Sequence, residues 1–406
     1  MSEKKGFIVR ALEFHAKRMW QWSSVKRAIE IMKDLNLNTL IFHQNDIINH
    51  LVLPEAVYPL EGKTLVSSRK FFLGVRLCNI MNNRAYMQRV LRETRKAGIN
   101  FFLQVKEIYP TSDIFEMYPE VLKPDGSICV TDPFWFYYLR EKIQELLEVL
   151  PDIAGIIVSP GTDETPISIL HNKCTCRRCR LTAPQEWLKK MIETMYKPLA
   201  EKGKTLVVRD FAKTPEDHRL LMNVLRECPR DIVVALKFVS QDYFHTFPDN
   251  PYIGSFRENP QWVEFDVWGQ FYGLGLFPCS IVEDMQKRMR YCYEKNVKGI
   301  MMRTDWECIT ESSIFTSFNL LNLIGGAYLA QNIETDLDEI YKKWLEYGLF
   351  SPLHSESEVK EPIKPKSPKA YVNLRDFMRA SWSVMEKNSL CERSSPYDVW
   401  WVSTNT

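Results

Sequence analysis

No run of about 18 consecutive apolar residues occurs in this 406-residue sequence, which removes a membrane-spanning helix from consideration. The first residues, Met1-Ser-Glu-Lys-Lys-Gly6, lead into an apolar strand with neither an h-region nor a small-residue cleavage site, so no secretory signal is read there and a cytoplasmic location is expected. Charge of one sign is also lacking. Lys+Arg 53 against Asp+Glu 51 leaves a net charge of +2, which gives no electrostatic reason to expect nucleic acid or an anionic membrane as partner; a neutral or small substrate fits better. Ten cysteines are too dilute for a disulfide scaffold, and Cys78, Cys279 and Cys292 sit alone in apolar segments, as small hydrophobes do in a reducing compartment. No internal repeat or low-complexity tract is present.

What the sequence does contain is alternation. Eight short apolar runs read as buried strands: Phe7–Leu12, Thr39–Phe42, Asn100–Val105, Ala154–Val158, Thr205–Arg209, Ile232–Leu236, Trp262–Val267 and Gly299–Met302. Amphipathic helical patterns lie between or after them, at Ser24–Leu35, Ala85–Lys96, Tyr137–Leu150, Gln185–Lys202, Pro215–Glu227, Val282–Asn296 and Ile314–Ala330. Strand–helix alternation with eight strands predicts a (β/α)8 TIM barrel, whose active site is built at the C-terminal ends of the strands. The barrel is assigned to residues 1–349. Residues 350–406 are read as a linker rich in Pro, Ser, Lys and Glu followed by a helical C-terminal extension, Ala370–Lys387, docked against the barrel. Between Asp242 and Pro260, three prolines and a glycine predict a long loop instead of a helix after the sixth strand.

Polar residues gather just after the strands. Ser159-Pro-Gly-Thr-Asp-Glu164 turns off the fourth strand and places two adjacent carboxylates at the rim, where a protonated Glu164 could donate to a glycosidic oxygen; alternatively Asp163 and Glu164 cap the next element or solvate a loop. Arg209 and Lys237 end the fifth and sixth strands and are suited to hold a carboxylate or hydroxyls, or else to neutralise Asp210 and the acidic rim. Asp242, five residues after Lys237, is a candidate to activate water. Glu13 with His15, His43 with Asn45 and Asp46, Lys106 with Glu107, and Asp305-Trp306-Glu307 complete a polar pocket. Its wall is aromatic: 11 Trp and 17 Tyr supply rings for stacking on sugars beyond those needed to fill the core. Cys174-Thr-Cys-Arg-Arg-Cys179 is a C-x-C-x2-C cluster that suggests a structural zinc, with His171 or a distant residue as fourth ligand; the other reading is free thiols among basic residues.

From about Thr131 to Trp344 the chain resembles the family-67 α-glucuronidases, which are inverting glycoside hydrolases on a (β/α)8 barrel. The likeness is carried by Thr131-Asp-Pro133, Leu150-Pro-Asp-Ile-Ala-Gly-Ile-Ile-Val158, the Lys237-x4-Asp242 spacing, Glu264-Phe-Asp-Val-Trp-Gly-Gln-Phe-Tyr-Gly273, and Leu329-Ala-Gln-Asn with Lys343-Trp344. The resemblance implies a general acid at the Asp163-Glu164 step, substrate contacts at Arg209 and Lys237, and a base carboxylate at Asp242. Gln270 stands where that family has its second carboxylate, and Ser159 or Pro160 where it has a lysine. The Asp163-Glu164 pair is also similar to that of the family-20 β-hexosaminidases, which use it with help from the substrate's acetamido group. These features lead to an expected glycosidase of carbohydrate metabolism or polysaccharide degradation. Glu164 serves as acid and Asp242 as base, with Asp163 in reserve; Arg209, Lys237, His43, Asn45, Lys106, Gln270, Trp306 and Glu307 bind substrate. The expected substrate is an oligosaccharide or small glycoside, a uronate-containing glycoside among the candidates, cleaved by acid/base catalysis with inversion; no cofactor is needed for catalysis, and a homo-oligomer stays open. A carbohydrate-binding barrel without catalysis is the third reading, suggested by Gln270.

Overall fold

The computed structural model describes residues 5–59, 67–240, 242–256, 258–272, 275, 277–305, 313–348 and 364–391. Eight strands hydrogen bond in sequence order and close on themselves: β1 (Val9–His15), β2 (Thr39–His43), β3 (Asn100–Val105), β4 (Gly155–Val158), β5 (Thr205–Arg209), β6 (Val233–Lys237), β7 (Gln261–Asp266) and β8 (Gly299–Arg303). The helices are α1 (Trp22–Asp34), α2 (Ser67–Lys96), α3 (Ser112–Met117), α4 (Phe134–Val149), α5 (Arg177–Leu181), α6 (Pro184–Glu201), α7 (Pro215–Arg226), α8 (Val282–Glu294), α9 (Leu320–Gln331), α10 (Leu337–Tyr347) and α11 (Pro368–Cys391). This is the (β/α)8 barrel expected from the alternation. Its strands are covered on both faces, so they read as unbroken apolar runs and not as alternating ones. Every residue of β2, β4, β6, β7 and β8 is buried.

By contact density the chain falls into two compact units. One consists of Leu40–Ala235 with Phe256–Pro260 and holds β3, β4, β5 and most of β2 and β6. Here the register pairs Phe102 with Gly155 and Gly155 with Thr205. Gly155 is required by space: an added Cβ would stand 2.0 Å from the Thr205 carbonyl oxygen. Helix α7 starts where its sequence says it should, with the Thr214 hydroxyl accepting the Asp217 N–H at 3.1 Å and Pro215 in the first turn.

The other unit holds β1, β7, β8 and α8 to α11. Helix α9 is apolar around its whole circumference and correspondingly buried. Asn322 within it and Asn319 at its N-cap do structural work. Asn322 donates to the Val267 and Cys279 carbonyls and accepts the Ile281 N–H, while Asn319 donates to Trp268 and accepts from Cys279. Between them they pin the segment that joins β7 to α8. The helix expected at Ile314–Ala330 is broken: Ile314–Thr316 is a 3-10 turn whose Ser313 hydroxyl accepts the Phe315 N–H, and α9 begins only at Leu320. The expected C-terminal helix is present as α11, with Met378 buried, the Ser381 hydroxyl accepting the Ser280 N–H at 2.9 Å, and Arg379 paired with Asp338 on α10. Residues 350–363 of the expected linker and the terminal residues after Cys391 lie outside the described residues, and the last two residues expected in the linker, Pro368 and Lys369, already belong to α11. Among the described residues no helix is long and apolar enough to cross a membrane.

Candidate active site

In the first unit the ends of β2 to β5 bring together four of the anticipated side chains. The turn off β4 is made by Pro160 and Gly161, the latter at φ +72°, a left-handed conformation that favours glycine. It delivers Glu164, half-buried, to the Lys106 ammonium at 3.2 Å and the Asn45 side-chain amide at 3.3 Å, both on the same carboxylate oxygen. Lys106 and Arg209, each 1% exposed, also share an aromatic face: the Lys106 Nζ stands 3.2 Å and the Arg209 guanidinium 5.0 Å from the centre of the Phe211 ring. Arg209 donates to the Ser159 hydroxyl at 3.4 Å. Asp210 does not neutralise the site, since its carboxylate pairs with His218 on α7 and accepts the Ala212 N–H. His43 shares a hydrogen bond with Gln104 at 3.1 Å.

Two neighbours in the sequence are not part of this group. Asp163 is exposed and pairs with Lys213; partial burial pushes its carboxyl up, but the Lys213 ammonium outweighs that and leaves it below the usual range. Glu107, expected in the pocket beside Lys106, is buried on Lys142 of α4, whose ammonium donates to both carboxylate oxygens at 3.0 Å. Adjacent residues of extended chain project to opposite sides, so one of the pair enters the site and the other the packing behind it.

The second unit carries its own charged rim. Lys237 donates to Asp242 at 2.7 Å, so the two residues singled out by spacing are one ion pair. Asp242 adopts φ 42°, left-handed for a residue with a side chain. The long loop beyond it, which among the described residues holds no helix before β7, is anchored by Arg288 of α8, which donates to the His245 and Phe247 carbonyls and pairs with Asp249. Gln270 accepts from Arg303 at 2.7 Å, and its own N–H donates to Asp266 at 2.7 Å. Burial lowers the Arg303 guanidinium, but Tyr243, Glu13, Asp266 and Glu264 together raise it far more, so it stays charged. Asp305 accepts the His15 N–H at 2.9 Å and pairs with Arg18 at 3.3 Å; burial nevertheless pushes its carboxyl up to about 7. Glu13 and His15, expected after β1, lie inside that strand. Trp306 and Glu307 lie outside the described residues. Arg303 was not singled out from sequence, although it ends β8 as Arg209 ends β5 and Lys237 ends β6.

The cysteine motif does gather, and it gains a member. The sulfurs of Cys129, Cys174, Cys176 and Cys179 lie within 4.8 Å of one another. Cys129 comes from the segment between β3 and α4, held by Trp135, whose indole N–H donates to the Cys129 carbonyl. Its sulfur is 3.7 Å from those of Cys176 and Cys179. The Cys179 backbone N–H donates to the Cys176 sulfur and pulls that thiol down to about 6. His171 is not the fourth member: its exposed ring lies outside the group, while Asn172 turns the chain by accepting the Cys174 N–H.

No protein-family model matches the chain, and no curated protein matches it. Solved structures do. A GH138 enzyme targeting pectin rhamnogalacturonan II superposes with a TM-score of 0.62 at 12% identity over 95% of this chain and 44% of its own length. A β-N-acetylhexosaminidase from Bacteroides fragilis gives 0.54 at 13% identity, over 84% of this chain and 70% of its own. A GH20 exo-β-N-acetylglucosaminidase from Vibrio harveyi, bound to N-acetylglucosamine, gives 0.53 at 12% identity, over 93% and 58%. The chain therefore spans less than half the length of the GH138 enzyme it resembles. At such identities the likeness is one of fold, and the chain is a (β/α)8 barrel similar in architecture to these sugar-acting proteins.

Proposed function

We propose that this chain is a glycoside hydrolase acting on an oligosaccharide or small glycoside that carries a uronate. Glu164 is its general acid, and Lys106 and Arg209 bind the sugar's carboxylate. The observation that carries this reading is the convergence of two buried cations on the Phe211 ring beside Glu164. Arg grips a carboxylate bidentately, and a cation held in a low-dielectric rim binds an anion far more strongly than one in water. A substrate carboxylate engaging Lys106 takes over the charge that otherwise holds Glu164, which leaves Glu164 to carry the proton for the leaving oxygen. The structures of similar fold target pectin or N-acetylhexosamine glycosides, which supports a carbohydrate substrate.

The test is turnover of a panel of aryl glycosides comprising uronides, neutral hexosides and N-acetylhexosaminides. Uronides should be the best substrates, and Arg209→Ala should weaken them by roughly 2–5 kcal/mol while sparing neutral sugars. Equal losses on both classes would remove carboxylate binding from Arg209. Glu164→Gln should slow poor leaving groups more than activated ones. A second reading is favoured by the adjacency of Asp163 and Glu164: substrate-assisted hydrolysis of an N-acetylhexosaminide. It predicts retained anomeric configuration in the first-formed product, against inversion for a two-carboxylate scheme.

A further inference from the structure

We propose that Cys129, Cys174, Cys176 and Cys179 bind one Zn2+ as a closed, four-thiolate site that ties the segment between β3 and α4 to the segment after β4.

The spacing of the sulfurs is that of a coordination tetrahedron. With Zn–S of about 2.3 Å, the edge of a regular tetrahedron of sulfurs is about 3.8 Å. Cys129 stands 3.7 Å from both Cys176 and Cys179, and the whole set fits within 4.8 Å. A disulfide would need about 2.05 Å, and it would use two sulfurs where four converge. Sulfurs this close leave no room between them for a polynuclear iron–sulfur core. Four thiolates with no water position are the donor set of a structural site, and soft ligands of this kind select zinc over magnesium or calcium.

The surroundings suit a metal centre with excess negative charge. Two N–H donors point at sulfur: the Cys179 backbone N–H to Cys176 at 3.5 Å, and the Arg178 guanidinium to Cys129 at 3.5 Å. Arg178 is in turn paired with Asp132, so its orientation is fixed, as second-layer partners of metal ligands are. Cys129, Cys174 and Cys179 are buried, whereas Cys176 is partly exposed and gives a path for loading.

The two segments the metal would join are those that carry the Lys106–Glu164 pair. Protein groups already link them: the Thr165 hydroxyl donates to the Ile108 carbonyl, Arg178 pairs with Asp132, and Thr131 meets the Cys179 sulfur at 3.1 Å. A metal adds to these a cross-link between stretches separated by 45 residues or more, and its binding free energy becomes folding free energy for this corner of the barrel. The site stands on sulfur geometry alone and does not depend on the glycosidase reading.

The decisive experiment is elemental analysis of the intact chain purified without added metal. About one zinc per chain is expected, released when a mercurial reagent titrates the thiols, and replaceable by Co2+ with the intense sulfur-to-metal charge-transfer absorption of a thiolate site. Cys176→Ser, at the partly exposed position, should fold and hold zinc at least tenfold more weakly in a chelator competition; Cys129→Ser should do the same. Zinc below about 0.2 per chain in wild type, iron at unit stoichiometry in its place, or disulfides among these cysteines by mass spectrometry would overturn the proposal. Full zinc retention by Cys129→Ser would overturn the four-cysteine assignment. Zinc content is read without turnover, so an active chain lacking zinc refutes only the metal site, and a zinc-loaded chain inactive on every glycoside refutes only the proposed function.

Discussion

The most informative single change for the architecture of the site is Lys142→Met. Lys142 and Glu107 are 1% and 0% exposed, and the ammonium lies 3.0 Å from both carboxylate oxygens. Methionine keeps most of the stem and removes the charge, so the packing around Tyr138 is preserved while Glu107 retains only the Tyr109 N–H at 3.0 Å. Unit charges 3 Å apart at an effective dielectric of about 20 interact by about 5 kcal/mol, and removing one partner of a buried pair costs about 3–5 kcal/mol. A cheaper escape sets the ceiling: protonating an ordinary glutamate at pH 7 costs about 4 kcal/mol. The variant should thus lose about 3–4 kcal/mol at pH 7 by urea unfolding. Its folded state then carries a proton that its unfolded state lacks, so its stability rises as pH falls, and the deficit against wild type should shrink to about 1 kcal/mol near pH 5. Glu107→Gln combined with Lys142→Met should recover most of the loss at pH 7. A deficit below about 1 kcal/mol, or one that does not change between pH 7 and 5, would show that this pair is not desolvated as the structure has it.

Two further changes test other links in the argument. Gly155→Ala places a methyl 2.0 Å from the Thr205 carbonyl oxygen and 2.7 Å from the Phe102 ring, and backbone on a neighbouring strand cannot yield; a loss of about 3 kcal/mol or more is expected in the same unfolding assay, and a near-neutral variant would contradict the β3–β4–β5 register. Asp305 is an acid whose folded value, about 7, lies above its unfolded one, so the folded state binds the extra proton and stability falls as pH rises from about 4 to 7. Asp305→Asn removes that component, and the wild-type-minus-variant difference in Tm should decline across this window and level off above it; parallel Tm–pH curves would refute the assignment.

The apolar runs of the eight strands were legible because a parallel strand buried on both faces needs a continuous hydrophobic stretch, and that demand is local. The same holds for the start of α7 at Pro215, where the Thr214 side-chain oxygen caps the N–H three residues on; the start of α10, capped in the same way by Asp336, was not read from the sequence. Strand-end cations could be found by position alone, which is how Arg209 and Lys237 were reached and how Arg303 could have been. Which partner each charge takes was not legible. Lys106 and Glu107 are adjacent in the chain, yet one meets Glu164 and the other Lys142, and Asp210 beside Arg209 goes to His218. The three cysteines of Cys174–Cys179 announced a cluster by spacing, while its fourth sulfur sits 45 residues upstream at Cys129. Sequence periodicity records what each residue needs from its own element. Pairing across elements is set by closure of the barrel, which brings loops from successive strands to one end whatever their separation along the chain, and only the folded chain decides which side chains meet there.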